Sequence, residues 1–173
     1  QAGTAYMGAL SGTGGTINSK YNRSGNVVLE VGALGLDTTY QGVIADGHTG
    51  PTKTSLVKVG GGLLKLTGAN AYSNGTIVAE GALLLSNTSG SGAGSGTVLV
   101  NAGATLGGNG SFTGSVTVDP GGHIAPGEST GTLGTGDLML LGGSLLDIEI
   151  SPTACDMLDV SGEVSLTGAI LNL

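Results

Sequence analysis

The sequence predicts an all-β fold in which one coil of about 20 residues is stacked on itself, a β-solenoid, and three observations predict it. Glycine is 36 of 173 residues, while Trp is absent and only four Tyr and one Phe occur, so a core of bulky aromatics is excluded. Short β-rich runs closing on a glycine recur along the chain, reaching Gly32, Gly61, Gly81, Gly103, Gly122, Gly143 and Gly162. Successive spacings are 29, 20, 22, 19, 21 and 19 residues, the first lengthened by an insertion. No stretch of 11 residues keeps a 3.6-residue apolar period free of glycine, which costs roughly 1 kcal/mol against alanine inside a helix.

The elements follow in chain order. Runs such as VVLEVG (to Gly32), LVKVGG (to Gly61), TIVAEG (to Gly81) and TVLVNAG (to Gly103) each supply one strand and its turn. A second apolar run follows each turn, as in ALLL, ATL, HIA, SLLDIEI and EVSL, so each coil carries at least two strands. LMLLGG (to Gly143) and LDVSG (to Gly162) extend the series toward the C-terminus. In SLLDIEI, alternation sets Leu146, Ile148 and Ile150 on one face and Leu145, Asp147 and Glu149 on the other. One coil cannot bury its apolar face alone, so coils must stack in parallel about 4.8 Å apart; seven or eight make a rod of roughly 35 Å. Its interior is then a set of Val, Leu, Ile and Ala ladders, with Asn70, Asn74, Asn87, Asn101 and Asn109 stacking at turns in a structural role.

Composition narrows the function. A mean hydropathy of +0.30 is too apolar for a disordered chain, and four Pro without a glycine at every third position exclude collagen. Five Lys and Arg against twelve Asp and Glu give a net charge of −7, which repels phosphate backbones and excludes nucleic acid as a partner. The longest apolar stretches are a few residues, far short of the about 20 that cross a bilayer as a helix. One cysteine, Cys155, cannot form an internal disulfide, and the Ser-, Thr-, Asn- and Gly-rich composition fits an extracellular bacterial protein.

Candidate chemistry is sparse. Asp147, Glu149, Asp156 and Asp159 form the densest acidic cluster and pose the question of weak cation binding, or of carboxylate chemistry on a polysaccharide. No Lys or Arg follows Lys65, so the cluster lacks a sequence-adjacent cation to stabilise developing negative charge. His48 and His123 each lie near one carboxylate, Asp46 and Asp119, without a second His or Cys at ligand spacing. Ser129 sits in GESTG with no strand-to-helix context, and Cys155 has no neighbouring His, so neither reads as a nucleophile. The glycine string over residues 90–97 precedes no helix that could present its N-terminus to phosphate. No catalytic, metal or cofactor site is therefore assigned.

Residues 55–85, SLVKVGGGLLKLTGANAYSNGTIVAEGALLL, resemble the autotransporter-associated β-strand repeat, also called the passenger-associated transport repeat. The resemblance rests on Leu56, Lys58, Gly60, Gly62, Leu64, Leu66, Gly68, Asn70, Tyr72, Gly75, Thr76, Val78, Gly81 and Leu83, with Asn74 in place of the first of the paired glycines after the tyrosine. Residues 38–46 are similar to the segment that often precedes such a repeat, and residues 103–133 and 146–173 to the coils that follow it. The chain then divides into irregular coils over residues 1–54, the repeat over 55–85 and further coils over 86–173, all one β-helix.

The resemblance implies a right-handed parallel β-helix at the bacterial cell surface or outer membrane, a non-catalytic passenger segment with roles in display, adhesion and export folding. It implies as partners the further coils of the same or a longer chain and a C-terminal β-barrel translocator outside this one. The last run, GAILNL, carries no polar cap and is expected to continue into further solenoid or to meet another copy. The alternative is a self-associating filament subunit, joined end to end or laterally; a carbohydrate-active β-helix is the third reading.

Overall fold

The computed structural model describes residues 3–18, 25–47 and 51–173. Every regular element among them is a β-strand, and the strands stack as a parallel β-solenoid of about seven turns. One sheet takes a strand from each successive turn: Gly3–Met7, Val27–Val31, Thr54–Lys58, Thr76–Val78, Val98–Val100, Val116–Val118, Leu138–Leu140 and Val164–Ser165. A second follows the glycine corner, with Thr38–Tyr40, Leu63–Leu66, Ala82–Leu85, Thr105–Gly108, His123–Pro126, Leu145–Asp147 and Ile170–Asn172. A third face is mostly too irregular for strands. Thr16–Asn18 pairs there with Val43–Ala45 and Thr132–Thr135 with Met157–Val160. Single backbone bonds such as Asn70 N–H to Ser91 C=O (2.7 Å) and Gly92 N–H to Ser111 C=O (2.8 Å) bridge the turns between.

Strand register gives the length of each turn. Gly3 pairs with Val27, Val27 with Thr54, Leu56 with Thr76, Thr76 with Val98, Val98 with Val116, Val116 with Leu138 and Leu138 with Val164, steps of 24, 27, 20, 22, 18, 22 and 26 residues. The central turns keep the expected length of about 20, and the outer ones are longer, at 24 to 27 residues.

Two expectations are corrected here. The run LDVSG is not the equivalent of LMLLGG: Met157–Val160 pairs with Thr132–Thr135 on the third face, and the strand beside Leu138–Leu140 is Val164–Ser165. The last corner glycine is accordingly Gly168, whose C=O accepts from Gly143 N–H at 2.8 Å. The alternation in SLLDIEI also stops early. The strand ends at Asp147, a bridge between Ile150 and Cys155 turns the chain back, and Ile150 lies exposed.

Equivalent residues, mostly aliphatic, stack in rows, because in-register parallel pairing repeats each side chain's environment one turn on. The first sheet buries one inner row of Leu29, Leu56, Thr76, Val98, Val116 and Leu138, and another of Val31, Lys58, Val78, Val100, Val118 and Leu140. The second sheet faces them with Leu64, Leu83, Leu106 and Ile124. The core is thus a narrow aliphatic column, and five aromatics suffice because no two elements need be held far apart.

Candidate functional site

The repeat residues converge on the corners of the central turns. Lys58 stands in an inner row between Val31 and Val78, yet it is buried to 1% exposure. A charge there needs partners, and its ammonium donates to the carbonyls of Val59 (3.0 Å), Gly60 (2.7 Å) and Glu80 (3.0 Å). The last of these lies one turn on, so the side chain clamps two successive corners. Burial pulls the Lys58 ammonium below the ordinary lysine range, opposed by the nearby carboxylates of Glu80 and Asp37.

Gly60 explains why such a corner excludes side chains. Its φ is +71°, and a Cβ there would lie 2.2 Å from the Gly32 carbonyl of the preceding turn. Gly81 repeats the arrangement over Gly60, and Gly62 and Gly68 pack equally close on Gly35 and Gly42. Gly75, at φ +87°, lies against Thr97. Leu64 and Leu66 fill the second sheet's inner side, and Val78 the first's.

Asn70 is buried at the corner leading to the third face. Its Oδ1 accepts from Ile44 N–H of the preceding turn (2.8 Å), and its Nδ2 donates to Gly92 C=O of the next (2.6 Å). Asn87 does the same toward Ser111, through both its amide oxygen and nitrogen (3.1 Å each). The expected amide-on-amide stack is therefore replaced by braces from side chain to backbone, because turns of unequal length do not bring these asparagines into register. Asn74 instead accepts from Asn26 at the surface (3.3 Å). Tyr72 is fully buried with its hydroxyl 2.6 Å from that of Thr76, and burial holds its phenol well above the ordinary range.

The acidic cluster divides. Asp147, Glu149 and Asp156 line one surface groove with Glu128, whereas Asp159 is exposed elsewhere on the third face. Asp156 is buried and its carboxylate accepts from the backbone N–H groups of Gly131 (2.8 Å) and Glu149 (2.7 Å), tying two loops together. Asp147 accepts from Asn172 (2.9 Å) and meets His123 Nδ1 at 2.7 Å. Among the described residues no three His, Cys, Asp or Glu side chains converge as a metal site. The groove does gain a cation that sequence proximity hides. Lys65, 63 residues earlier, reaches Glu128 at 2.5 Å, and Ser86 also donates to that carboxylate. These two bonds hold the Glu128 carboxyl below its usual range.

Residues 56–85 match the passenger-associated-transport-repeat family. Over 169 residues the chain is 31% identical to the "Adhesin BmaC autotransporter" of Brucella suis biovar 1 (strain 1330), an alignment covering 96% of this chain and 5% of that protein. This chain carries an autotransporter passenger repeat. The matched span contains the whole set from Lys58 to Gly81, and the chain as a whole spans about one-twentieth of the relative's length. A passenger repeat places it with cell-surface or outer-membrane-associated proteins. Among the described residues no helix is long and apolar enough to cross a membrane.

The remaining candidates of this passenger segment lie apart from one another. His123 pairs with Asp147 rather than Asp119, Cys155 is exposed, and Ser129 sits in the loop beside Glu128. His48 lies outside the described residues. Sequence reasoning took Asp46 only as the neighbour of His48 and missed its bracing role: its carboxylate accepts from Thr54 N–H (2.7 Å), Ser73 N–H (3.1 Å) and the Ser73 hydroxyl (2.6 Å). An aspartate before a glycine, followed by a long insertion, was the available signal.

Proposed function

We propose that this chain is a non-catalytic structural segment of an autotransporter passenger, extending it from the cell surface, displaying an adhesive region and assisting folding during export. The observation that carries the reading is the unbroken register of inner rows through the repeat at residues 56–85. Each turn offers the backbone donors and acceptors of its first- and second-sheet strands to the next, so folding of one turn templates its successor outside the cell. The relative's printed name, an adhesin, supports adhesion as the purpose of the display.

The test removes one whole turn in register from the parent protein. Deleting residues 56–75 joins the strand before Leu56 to Thr76, its own row neighbour, and takes most of the repeat with it. Reduced surface display by antibody labelling of intact cells is expected; unchanged display sinks the export role.

A further inference from the structure

The outer side of the first sheet carries a shallow channel along the solenoid axis. Strand pairing stacks two outward rows there, one of small residues, Ser55, Gly75, Thr97 and Ser115, and one of apolar residues, Val57, Ile77, Leu99 and, past Thr117, Met139. Beside the small row the apolar side chains bound two successive grooves, of about 370 Å³ at Val57, Ile77 and Leu99 and about 320 Å³ at Met139. Ile77 and Met139 are exposed. The ends of the channel are acidic. Glu30 precedes Val57 in the apolar row, and Asp137 and Glu163 continue the small row beside Met139. These two carboxylates belong to neighbouring turns, and that of Asp137 accepts from Glu163 N–H at 2.9 Å. Like charges on adjacent strands repel, and no described cation offsets them: Lys58 is buried, Lys65 is paired on the second sheet, and Lys53 precedes a strand four turns away.

We propose that this channel is a docking surface for a basic amphipathic helix of another protein. Spacing selects the helix. Side chains of neighbouring turns stand roughly 4.8 Å apart along the axis, close to the about 5.4 Å between successive turns of a helix laid along it, whereas same-side residues of an extended strand are roughly 6.8 Å apart. The apolar stripe of such a helix therefore meets successive positions of the Val57, Ile77 and Leu99 row and reaches Met139. Charge selects its flank. Lys or Arg beside the stripe reaches Asp137 and Glu163, one row aside, and relieves the repulsion between them. The net charge of −7 steers a cationic segment toward the chain. A second copy brings its own Glu30, Asp137 and Glu163 to the same face, so charge disfavours self-pairing there. The proposal goes beyond the passenger reading and does not rest on it.

Fluorescence anisotropy tests it with a labelled peptide of about 18 residues, Leu and Lys only, with Leu at i, i+3, i+4 and i+7, titrated with the 173-residue chain up to about 1 mM at about 50 mM salt. Saturable binding with a Kd below about 100 µM is expected, and binding at least about tenfold weaker for a peptide of the same composition in scrambled order. Met139→Lys is expected to weaken binding at least about tenfold and the double change Asp137→Asn with Glu163→Gln at least about fivefold, while Glu149→Gln, in the groove on another face, leaves it unchanged. Circular dichroism checks that each variant is folded. Asp137→Asn keeps an acceptor for the Glu163 N–H, so the double variant decides where Met139→Lys unfolds. No saturation at about 1 mM overturns the proposal, as does equal binding of the scrambled peptide or binding that survives the face variants. Self-association of the chain alone that Met139→Lys abolishes, read by sedimentation, assigns the face to a second copy and also overturns it. None of these outcomes bears on surface display, so failure here leaves the passenger reading standing.

Discussion

Leu106 and Leu171 belong to the same inner row of the second sheet, yet Leu106 is fully buried and Leu171 is 58% exposed. In the first sheet Leu138 is 3% exposed and its row neighbour Val164 53%. The residue types and the backbone are alike at these positions. The difference is that a central turn has a neighbour on each side and the last described turn on one only. A solenoid core is thus shared between turns rather than owned by any of them, and stability is a sum of interfaces between neighbours.

The sharpest way to break that comparison is to make one cavity at each place. Leu106→Ala is expected to cost about 2–5 kcal/mol and Leu171→Ala less than about 1 kcal/mol, read from urea unfolding midpoints; equal losses mean that the last turn has a core of its own. Corner glycines extend the contrast. Gly60→Ala meets a backbone carbonyl and a positive φ, for an expected loss of at least about 2 kcal/mol. Gly103, with φ +76° and open space around its Cα, is expected to lose about 1 kcal/mol on the same change.

Braces between turns come next in size. Asn70→Ala strands the Ile44 N–H and the Gly92 carbonyl, an expected loss of about 1–3 kcal/mol in the same urea measurement, and a loss below a few tenths shows the braces to be dispensable. Lys58 adds a pH signature. Its folded pKa lies below the ordinary 10.5, so between the two values the unfolded chain binds more protons and stability rises with pH. Lys58→Met is expected to remove that rise, measured by unfolding at a series of alkaline pH values below 10, where Tyr72 does not yet contribute. The smallest effect belongs to the groove. Glu128 is held below 4.5, so its pair with Lys65 contributes above that value and is lost as pH falls through the folded one. Both partners are partly exposed, and Lys65→Met is expected to change stability by less than about 1 kcal/mol in thermal unfolding at neutral pH.

Much of this was legible beforehand. Glycine spacing located the corners as far as Gly143, and residues 55–85 the repeat that carries Lys58, Asn70 and Tyr72. The C-terminal third was less legible. Met157–Val160 has the look of a first-sheet strand, and only pairing with Thr132–Thr135 assigns it to the third face. The third face itself left almost no trace, because single bridges and backbone bonds need no periodic pattern.

What the amino-acid sequence determined is the class of fold and the period, since glycine, β-branched residues and apolar alternation act over a few neighbours. It also determined which residues form the repeat. What only the tertiary structure decided is where partners one or more turns away meet. Lys58 closes on the Glu80 carbonyl across 22 residues, Asn70 spans Ile44 and Gly92, and Lys65 finds Glu128 across 63. These contacts depend on the exact length of every intervening turn, which varies from 18 to 27 residues, and a single inserted residue re-aims each of them. Local chemistry sets the coil, and the register between coils sets the contacts.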